Sequence, residues 1–334
     1  MLDKPENAII RETGGTVSIS ARIDHVTDVT PEYQAGIIPA PRSVKIELTN
    51  KCNFRCGFCA LRTRETQTNE VMGLDFFRRI TAEMRDAGVE EIGVFYLGES
   101  FTTPDVLVEA IRWCKRDIGM PYVFCTTNGS LAHPDVVWRC MDAGLDSLKF
   151  SVNAATPAQF REVMGVKESL FWTSLDNIRQ AREVRDRNHF KCGIYASSIR
   201  YDGEQHERMR ETLAKHVLPF VDEHYWLPLY AEMSSMNKQI ADKLGYEPKA
   251  GNQGRLDNLR QPLPCWAVFT EGHVTVDGTL SACCFDANGK FAMGNLHEEP
   301  FMQAWNNEKF QALRIAHLAK DVTGTVCDGC IAYA

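Results

Sequence analysis

Two rhythms of apolar and polar positions alternate along the chain. Short apolar or β-branched runs fall near 44–49 (VKIELT), 91–97 (EIGVFYL), 121–126 (PYVFCT), 146–152 (DSLKFSV), 190–197 (FKCGIYAS) and 221–229 (VDEHYWLPL), and each reads as a buried strand. Between them, 74–87, 105–117, 134–143, 172–187 and 204–217 carry apolar residues at intervals of three and four, as at Phe77, Ile80 and Met84, and read as helices. Gly88 and Gly144 stand where two of these helices would stop in a left-handed turn. Strand and helix alternating about six times predicts parallel βαβ units that curl into a full or partial barrel. Ligand chemistry then belongs at the C-terminal ends of the strands.

Outside 41–230 the rhythm changes. Residues 1–40 hold turn residues and short β-prone stretches with no sustained helical period, and read as an N-terminal extension. In 231–262 Met, Asn, Lys, Gly and Gln dominate, which predicts a linker with one short helix around 234–244. The block 263–334 forms a further unit: HVTVDGTL predicts a hairpin turning at Asp-Gly, a helix follows at about 300–319, and a Cys pair lies four residues from the end.

Composition narrows the function. With 44% hydrophobic and 24% charged residues the chain can build a large core. Lys plus Arg number 37 against 44 Asp plus Glu, a net charge of −7 with no block of like charge, which argues against nucleic acid as a partner. No apolar run is long enough to cross a membrane, and residues 1–15 lack the basic start and apolar stretch that export requires, so the expected location is the cytoplasm. Twelve cysteines in such a chain point to metal or redox chemistry rather than disulfides.

Three of them, Cys52, Cys56 and Cys59, fall within eight residues directly after the first strand. Three soft thiolates on one tight loop suit an iron–sulfur cluster or zinc, and three ligands leave one position open. A structural zinc that borrows a fourth ligand is the plain alternative. A second set, Cys265, Cys283 and the terminal pair Cys327 and Cys330, offers four thiols for a closed site, where spacing alone does not separate a cluster from zinc. Cys114, Cys125, Cys140 and Cys192 fall singly on predicted helices and strands and read as small buried hydrophobes.

The pattern CxxxCxΦC, with Phe58 as the aromatic, placed after the first strand of a βα barrel, resembles the radical S-adenosylmethionine superfamily over residues 44 to about 230. That resemblance implies a partial (β/α)6 TIM-like barrel and a [4Fe–4S] cluster on Cys52, Cys56 and Cys59. It implies that the fourth iron is chelated by the amino and carboxylate groups of S-adenosylmethionine, with Phe58 packing near the adenine. Leu97-Gly98-Glu99-Ser100 looks like the family's GGE motif with Leu in place of the first Gly, and would meet the methionine ammonium. Asn128 in the turn after the third strand faces the same rim. Ser151 and Asn153 would touch the ribose or methionine, and Arg161 resembles an arginine that pairs with the methionine carboxylate. Each has a plain structural alternative: a capping acid for Glu99, a turn former for Asn128, a strand end for Ser151, a solvated helix charge for Arg161.

The run from Cys265 to the final CxxC resembles the family's C-terminal SPASM extension, a small α+β iron–sulfur domain. Because the sequence ends at Ala334, shortly after the CxxC, it is similar to the shortened twitch form of 2-deoxy-scyllo-inosamine dehydrogenase-like enzymes, with one auxiliary [4Fe–4S] cluster on Cys265, Cys283, Cys327 and Cys330. Cys284 is a spare or an alternative ligand. The resemblance implies reductive cleavage of S-adenosylmethionine to a 5′-deoxyadenosyl radical, with a reductase such as flavodoxin or ferredoxin as electron donor. The radical would take a hydrogen atom from a small polar substrate of aminosugar, cyclitol, nucleoside or nucleotide-sugar type, leading to oxidation, epimerisation or decarboxylation. Modification of a ribosomal peptide or protein side chain is one alternative, and a non-catalytic iron–sulfur electron carrier is another. Glu204, His206, His224, Glu232 and His273 are available as bases, but no motif singles one out.

Overall fold

The computed structural model describes residues 12–13, 16–59, 61, 68–227, 254–284, 286 and 289–328. Its frame is six parallel strands: β1 (Ser43–Ile46), β2 (Glu91–Gly93), β3 (Tyr122–Thr127), β4 (Ser147–Ser151), β5 (Gly193–Ile199) and β6 (Glu223–Leu227). The connections carry α2 (Leu74–Ala87), α3 (Pro104–Arg112), α4 (Pro134–Ala143), α5 (Pro157–Met164), α6 (Ser169–Asn188) and α7 (Gly203–His216). The expected partial (β/α)6 barrel is therefore the observed architecture. Residues 105–117 end differently from the expectation: the α-helix stops at Arg112 and one π-turn, Trp113–Asp117, completes it.

Alternation along the strands gives the sheet two unlike faces. Val44, Ile46, Ile92, Val123, Leu148 and Ile194 face the helices in the main core, all fully buried. Phe77, Ile80 and Met84 of α2 pack into that core, each contributing ~1.5–3 kcal/mol relative to exposure. Gly88 and Gly144 close α2 and α4 at φ 96° and 110°, a conformation that other residues adopt only with strain. Cys114, Cys125, Cys140 and Cys192 are buried. The residues that alternate with the core-facing ones, among them Lys45, Glu91, Phe124, Thr126, Lys149 and Tyr225, line the barrel lumen.

The expectation for residues 1–40 is corrected in one respect. Ile19–Val26 forms a helix, α1, too short to announce itself by periodicity. It sits at the N-terminal ends of the strands. Ser18 and the backbone of Ile19 and Ser20 donate to the Glu223 carboxylate at 2.9–3.2 Å, an acidic side chain meeting the positive end of the helix. Arg22 donates to both oxygens of Glu91 at 2.9 Å and lies over the Phe124 ring. Tyr195 donates to the Val17 carbonyl. These contacts fix the helix across the foot of the lumen.

The C-terminal block continues the same sheet. β7 (Glu271–Val274) pairs in parallel with β1, and β8 (Thr279–Ser281) and β9 (Ala292–Asn295) follow it antiparallel, giving the order β9-β8-β7-β1-β2-β3-β4-β5-β6. The hairpin predicted at Asp277-Gly278 is present. The helix expected at 300–319 is two, α8 (Phe301–Trp305) and α9 (Glu308–Leu318), because the Asn307 side chain caps the second by accepting from the Phe310 backbone. The helix expected near 234–244 lies outside the described residues.

Arg314 of α9 ties this block to the N-terminal segment. Fully buried, it donates to the carbonyls of Val268, Gly36 and Trp305 and to Asn306 at 2.8–3.0 Å, with the Trp305 ring 4.4 Å away. Burial pulls its guanidinium down to about 9. Arg314→Met leaves those acceptors without a donor and is expected to destabilise the holoprotein by ~3 kcal/mol or more. Chemical denaturation checks this, and a variant as stable as its parent contradicts it.

Candidate functional site

The thiol loop leaves β1 at the C-terminal rim of the barrel and is held from three sides. From the α5 side, the carbonyls of Met164 and Val163 accept from the backbone of Arg55 and Gly57 at 2.9 and 2.8 Å. From the β2 side, the Glu99 backbone donates to the Lys51 carbonyl at 2.9 Å. From the β3 side, Asn53 donates to the Ser130 hydroxyl at 2.8 Å, and Asn128 donates to Asn53 at 2.9 Å. The Asn128 oxygen in turn accepts from the Ser130 hydroxyl at 2.7 Å. The loop is thus a fixed platform rather than a free connection.

Within it the Phe54 backbone donates to the Cys52 sulfur at 3.4 Å, and Cys59 turns back to donate to the Cys56 carbonyl at 3.2 Å. Cys52 and Cys59 both pack against Leu61 and Leu97, while the Cys56 sulfur lies 3.3 Å from the Met164 sulfur. All three thiols are half-buried. Burial, followed by the nearby Glu99 charge, pushes the Cys52 thiol up to about 11, so binding a soft metal there must displace a proton. Among the described residues no three His, Cys, Asp or Glu side chains converge on a point for a single metal ion; an iron–sulfur cube takes its thiolates at separate corners. The donor set, three soft thiols on one pinned loop, fits such a cluster.

Glu99 is buried with both oxygens engaged. One accepts from the Thr127 hydroxyl at 2.9 Å and the Phe101 backbone at 3.1 Å, the other from the Asn128 backbone at 2.8 Å. Burial raises its carboxyl, against those hydrogen bonds. Glu99 therefore caps the short helix Ser100–Thr102 and ties it to the rim of β3. Gly98 is required by close approach: a methyl on its Cα would overlap the Thr49 carbonyl oxygen and lie 3.1 Å from that of Lys51. Ser100 is buried and donates to the Val94 carbonyl at 2.7 Å.

A small cavity of about 20 Å³, lined by Asn128, Ser151 and Asn153 with Phe160, brings together three residues that the sequence places at the cofactor. The Asn153 side chain accepts from the Ile199 backbone at 3.0 Å. Phe58 is half-buried against the main core. Arg161 points outward, 66% exposed, and pairs with Glu168 at 2.7 Å. Sequence reasoning missed Asn53 and Ser130; an Asn inside a cysteine loop carries no periodic or spacing signal, although its position between two thiols was on view.

In the C-terminal block, His317 joins two of the predicted ligands. The Cys265 backbone donates to its Nδ1 at 3.2 Å, so the ring proton sits on Nε2, 3.4 Å from the Cys327 sulfur. Burial pulls the imidazole down to about 4, which keeps it neutral. Were Cys327 to hold a cluster, a neutral donor aimed at its thiolate would orient it and shift the potential of that cluster. Cys283 follows β8, its carbonyl accepting from the Tyr96 hydroxyl at 2.8 Å. Cys284, next to Cys283, is half-buried. Cys330 lies outside the described residues. Thiols with a histidine donor fit a second cluster, and anaerobic reconstitution is expected to load about eight irons per chain, four for each cube. A count near four together with zinc contradicts the second cluster.

No helix among the described residues is long and apolar enough to cross a membrane. Residues 46–214, half of the chain, match the family model described as the radical SAM superfamily, and residues 265–331 match SPASM, an iron–sulfur cluster-binding domain. The S-adenosylmethionine-dependent nucleotide dehydratase of Oncorhynchus mykiss is 32% identical over 93 residues, 27% of this chain and 26% of that protein. The chain thus spans about a quarter of the length of the curated relatives it matches first. Among solved structures, SuiB of Streptococcus suis bound to precursor peptide SuiA aligns at a TM-score of 0.62 and 15% identity over 89% of this chain and 71% of that one. BtrN in complex with AdoMet and 2-DOIA aligns at 0.52 and 16% over 83% and 86%. At such identities the two show a shared fold. A radical SAM domain binds a [4Fe–4S] cluster and S-adenosylmethionine, and a SPASM domain binds auxiliary iron–sulfur clusters, matching the two thiol sets. With its thiol loop pinned at the rim of a partial barrel and Cys283 following β8 on the continuation of the same sheet, the chain belongs to the radical SAM superfamily and carries a SPASM domain.

Proposed function

We propose that the chain is a cytoplasmic radical SAM oxidoreductase or epimerase acting on a small polar molecule of aminosugar, cyclitol, nucleoside or nucleotide-sugar type. Held by Cys52, Cys56 and Cys59, the cluster would, once bound, supply an electron to S-adenosylmethionine, and the pair would provide the chemistry that removes a substrate hydrogen atom. The chain's own residues hold and order. Asn53, Asn128 and Ser130 fix the thiol loop, the buried Glu99 orders the rim, and α1 borders the foot of the barrel. An external reductase such as flavodoxin or ferredoxin supplies the electron, and the second thiol set offers a route for a second one when the outcome is oxidation.

The observation that carries the reading is the lumen itself: a cavity of about 200 Å³, bounded below by α1, in which charged side chains such as Lys45, Glu91, Lys149 and Glu271 stand among apolar ones such as Phe95, Phe124 and Trp266. Its scale and polarity suit a small polar molecule. The test is hydrogen transfer. Deuterated candidates of this class, incubated with the reduced protein and S-adenosylmethionine, are expected to label 5′-deoxyadenosine; label arriving only from a peptide contradicts the proposal.

A further inference from the structure

Three cations line the lumen cavity, and two of them are neutralised where they stand. Arg22 pairs with Glu91 at 2.9 Å, and Lys45 with Glu271 at 2.6 Å. Lys45 and His273 hold the Glu271 carboxyl down at about 2 despite its burial, so that pair stays charged. Glu223, at the foot of the lumen, is occupied by the first turn of α1. Lys149 differs. Its ammonium donates at 3.0 Å to the hydroxyl of Tyr225, a neutral acceptor, and among the described residues it meets no carboxylate. Among the described residues the lining therefore carries one positive charge in excess.

Directly across the sheet from Lys149 stands Thr126, its register partner on β3, which lines the same cavity. The Thr126 hydroxyl is buried and has no hydrogen-bond partner among the described residues. An ammonium lacking a counter-charge and a buried hydroxyl lacking a partner, side by side on one wall, are costs that a ligand can remove. Phe95 and Phe124 line the same cavity and lower the local polarity, which strengthens an ionic contact there.

We infer that Lys149 and Thr126 form a subsite for an anionic group, carboxylate or phosphate, carried by the substrate. The lysine supplies the charge, and the threonine hydroxyl, enclosed in the wall, turns toward the bound group to supply a directed hydrogen bond. An anion anchored there leaves the rest of the molecule to extend toward the C-terminal ends of the strands, where the thiol loop lies. The inference deepens the proposed function and rests on it for one point, that the occupant is the substrate.

The experiment titrates the anaerobic holoprotein with inorganic phosphate and, separately, acetate, following thermal stabilisation and calorimetric heat. One or both anions are expected to bind saturably, and the better of the two names the group. Lys149→Met is expected to weaken that binding at least tenfold, and Thr126→Val, which keeps the shape of the wall, to weaken it by less. Lys309→Met, on the exposed face of α9, is expected to bind as the parent does. A parent with no saturable response overturns the subsite, as does a Thr126→Val protein that binds as tightly as the parent alongside an equally unaffected or unfolded Lys149→Met. The two readings fail separately: anion binding lost in both variants of a parent that forms no 5′-deoxyadenosine keeps the subsite and removes the proposed function.

Discussion

Replacing Cys52, Cys56 and Cys59 together with alanine is expected to abolish 5′-deoxyadenosine formation under dithionite and to remove about four irons per chain. The other sulfur beside the loop, the Met164 thioether, lacks the negative charge by which a thiolate holds iron. Cys125 lies fully buried on β3, facing away from the lumen in the main core, and Cys114 and Cys140 are buried on the helical layer. The loop's backbone is held by bonds that do not involve the thiols: Arg55 and Gly57 to α5, Lys51 to Glu99, Asn53 to Ser130. The triple variant is therefore expected to keep its fold and lose its iron, which iron analysis beside circular dichroism resolves. Unchanged 5′-deoxyadenosine formation would refute the assignment of the loop.

The second large effect is expected at Gly98. A single methyl there collides with the Thr49 carbonyl, a backbone atom fixed by its place between β1 and the thiol loop. No side-chain rotation relieves that contact, so either the 97–99 segment or the thiol loop must move. Gly98→Ala is expected to cost at or above the top of the ~1–3 kcal/mol typical of overpacking. 5′-Deoxyadenosine formation should fall with it, because the same shift breaks the bond from Glu99 to Lys51. Gly73→Ala is the matched control, with no atom within 4 Å of the added methyl. Equal melting and equal turnover for the two variants would contradict this account of the rim.

What could be read from the sequence was what is local. Three thiols in eight residues declare soft-metal chemistry without any knowledge of the fold. Phe77, Ile80 and Met84 set the helix they occupy, and Gly88 and Gly144 its stops and those of α4, because a helical stripe and a left-handed cap are written within a few residues. The pairing of β7 with β1, which joins His273 to Lys45 across more than two hundred residues, leaves no local trace. The same holds for α1: eight residues are too few to show a period, and its position is fixed by Glu91 and Glu223, partners far away in the chain. In the sequence Lys149 is a charge inside the apolar run 146–152. Only the closure of the barrel turns that alternation into a charged wall facing a cavity.

Electron paramagnetic resonance of the reduced, anaerobic protein, recorded before and after addition of S-adenosylmethionine, tests the central claim most directly. An open iron on the Cys52–Cys56–Cys59 cluster predicts a [4Fe–4S]⁺ signal whose shape changes on that addition, and the change is absent from the triple alanine variant. A protein that gives no cluster signal, or one whose signal is indifferent to S-adenosylmethionine, would contradict it.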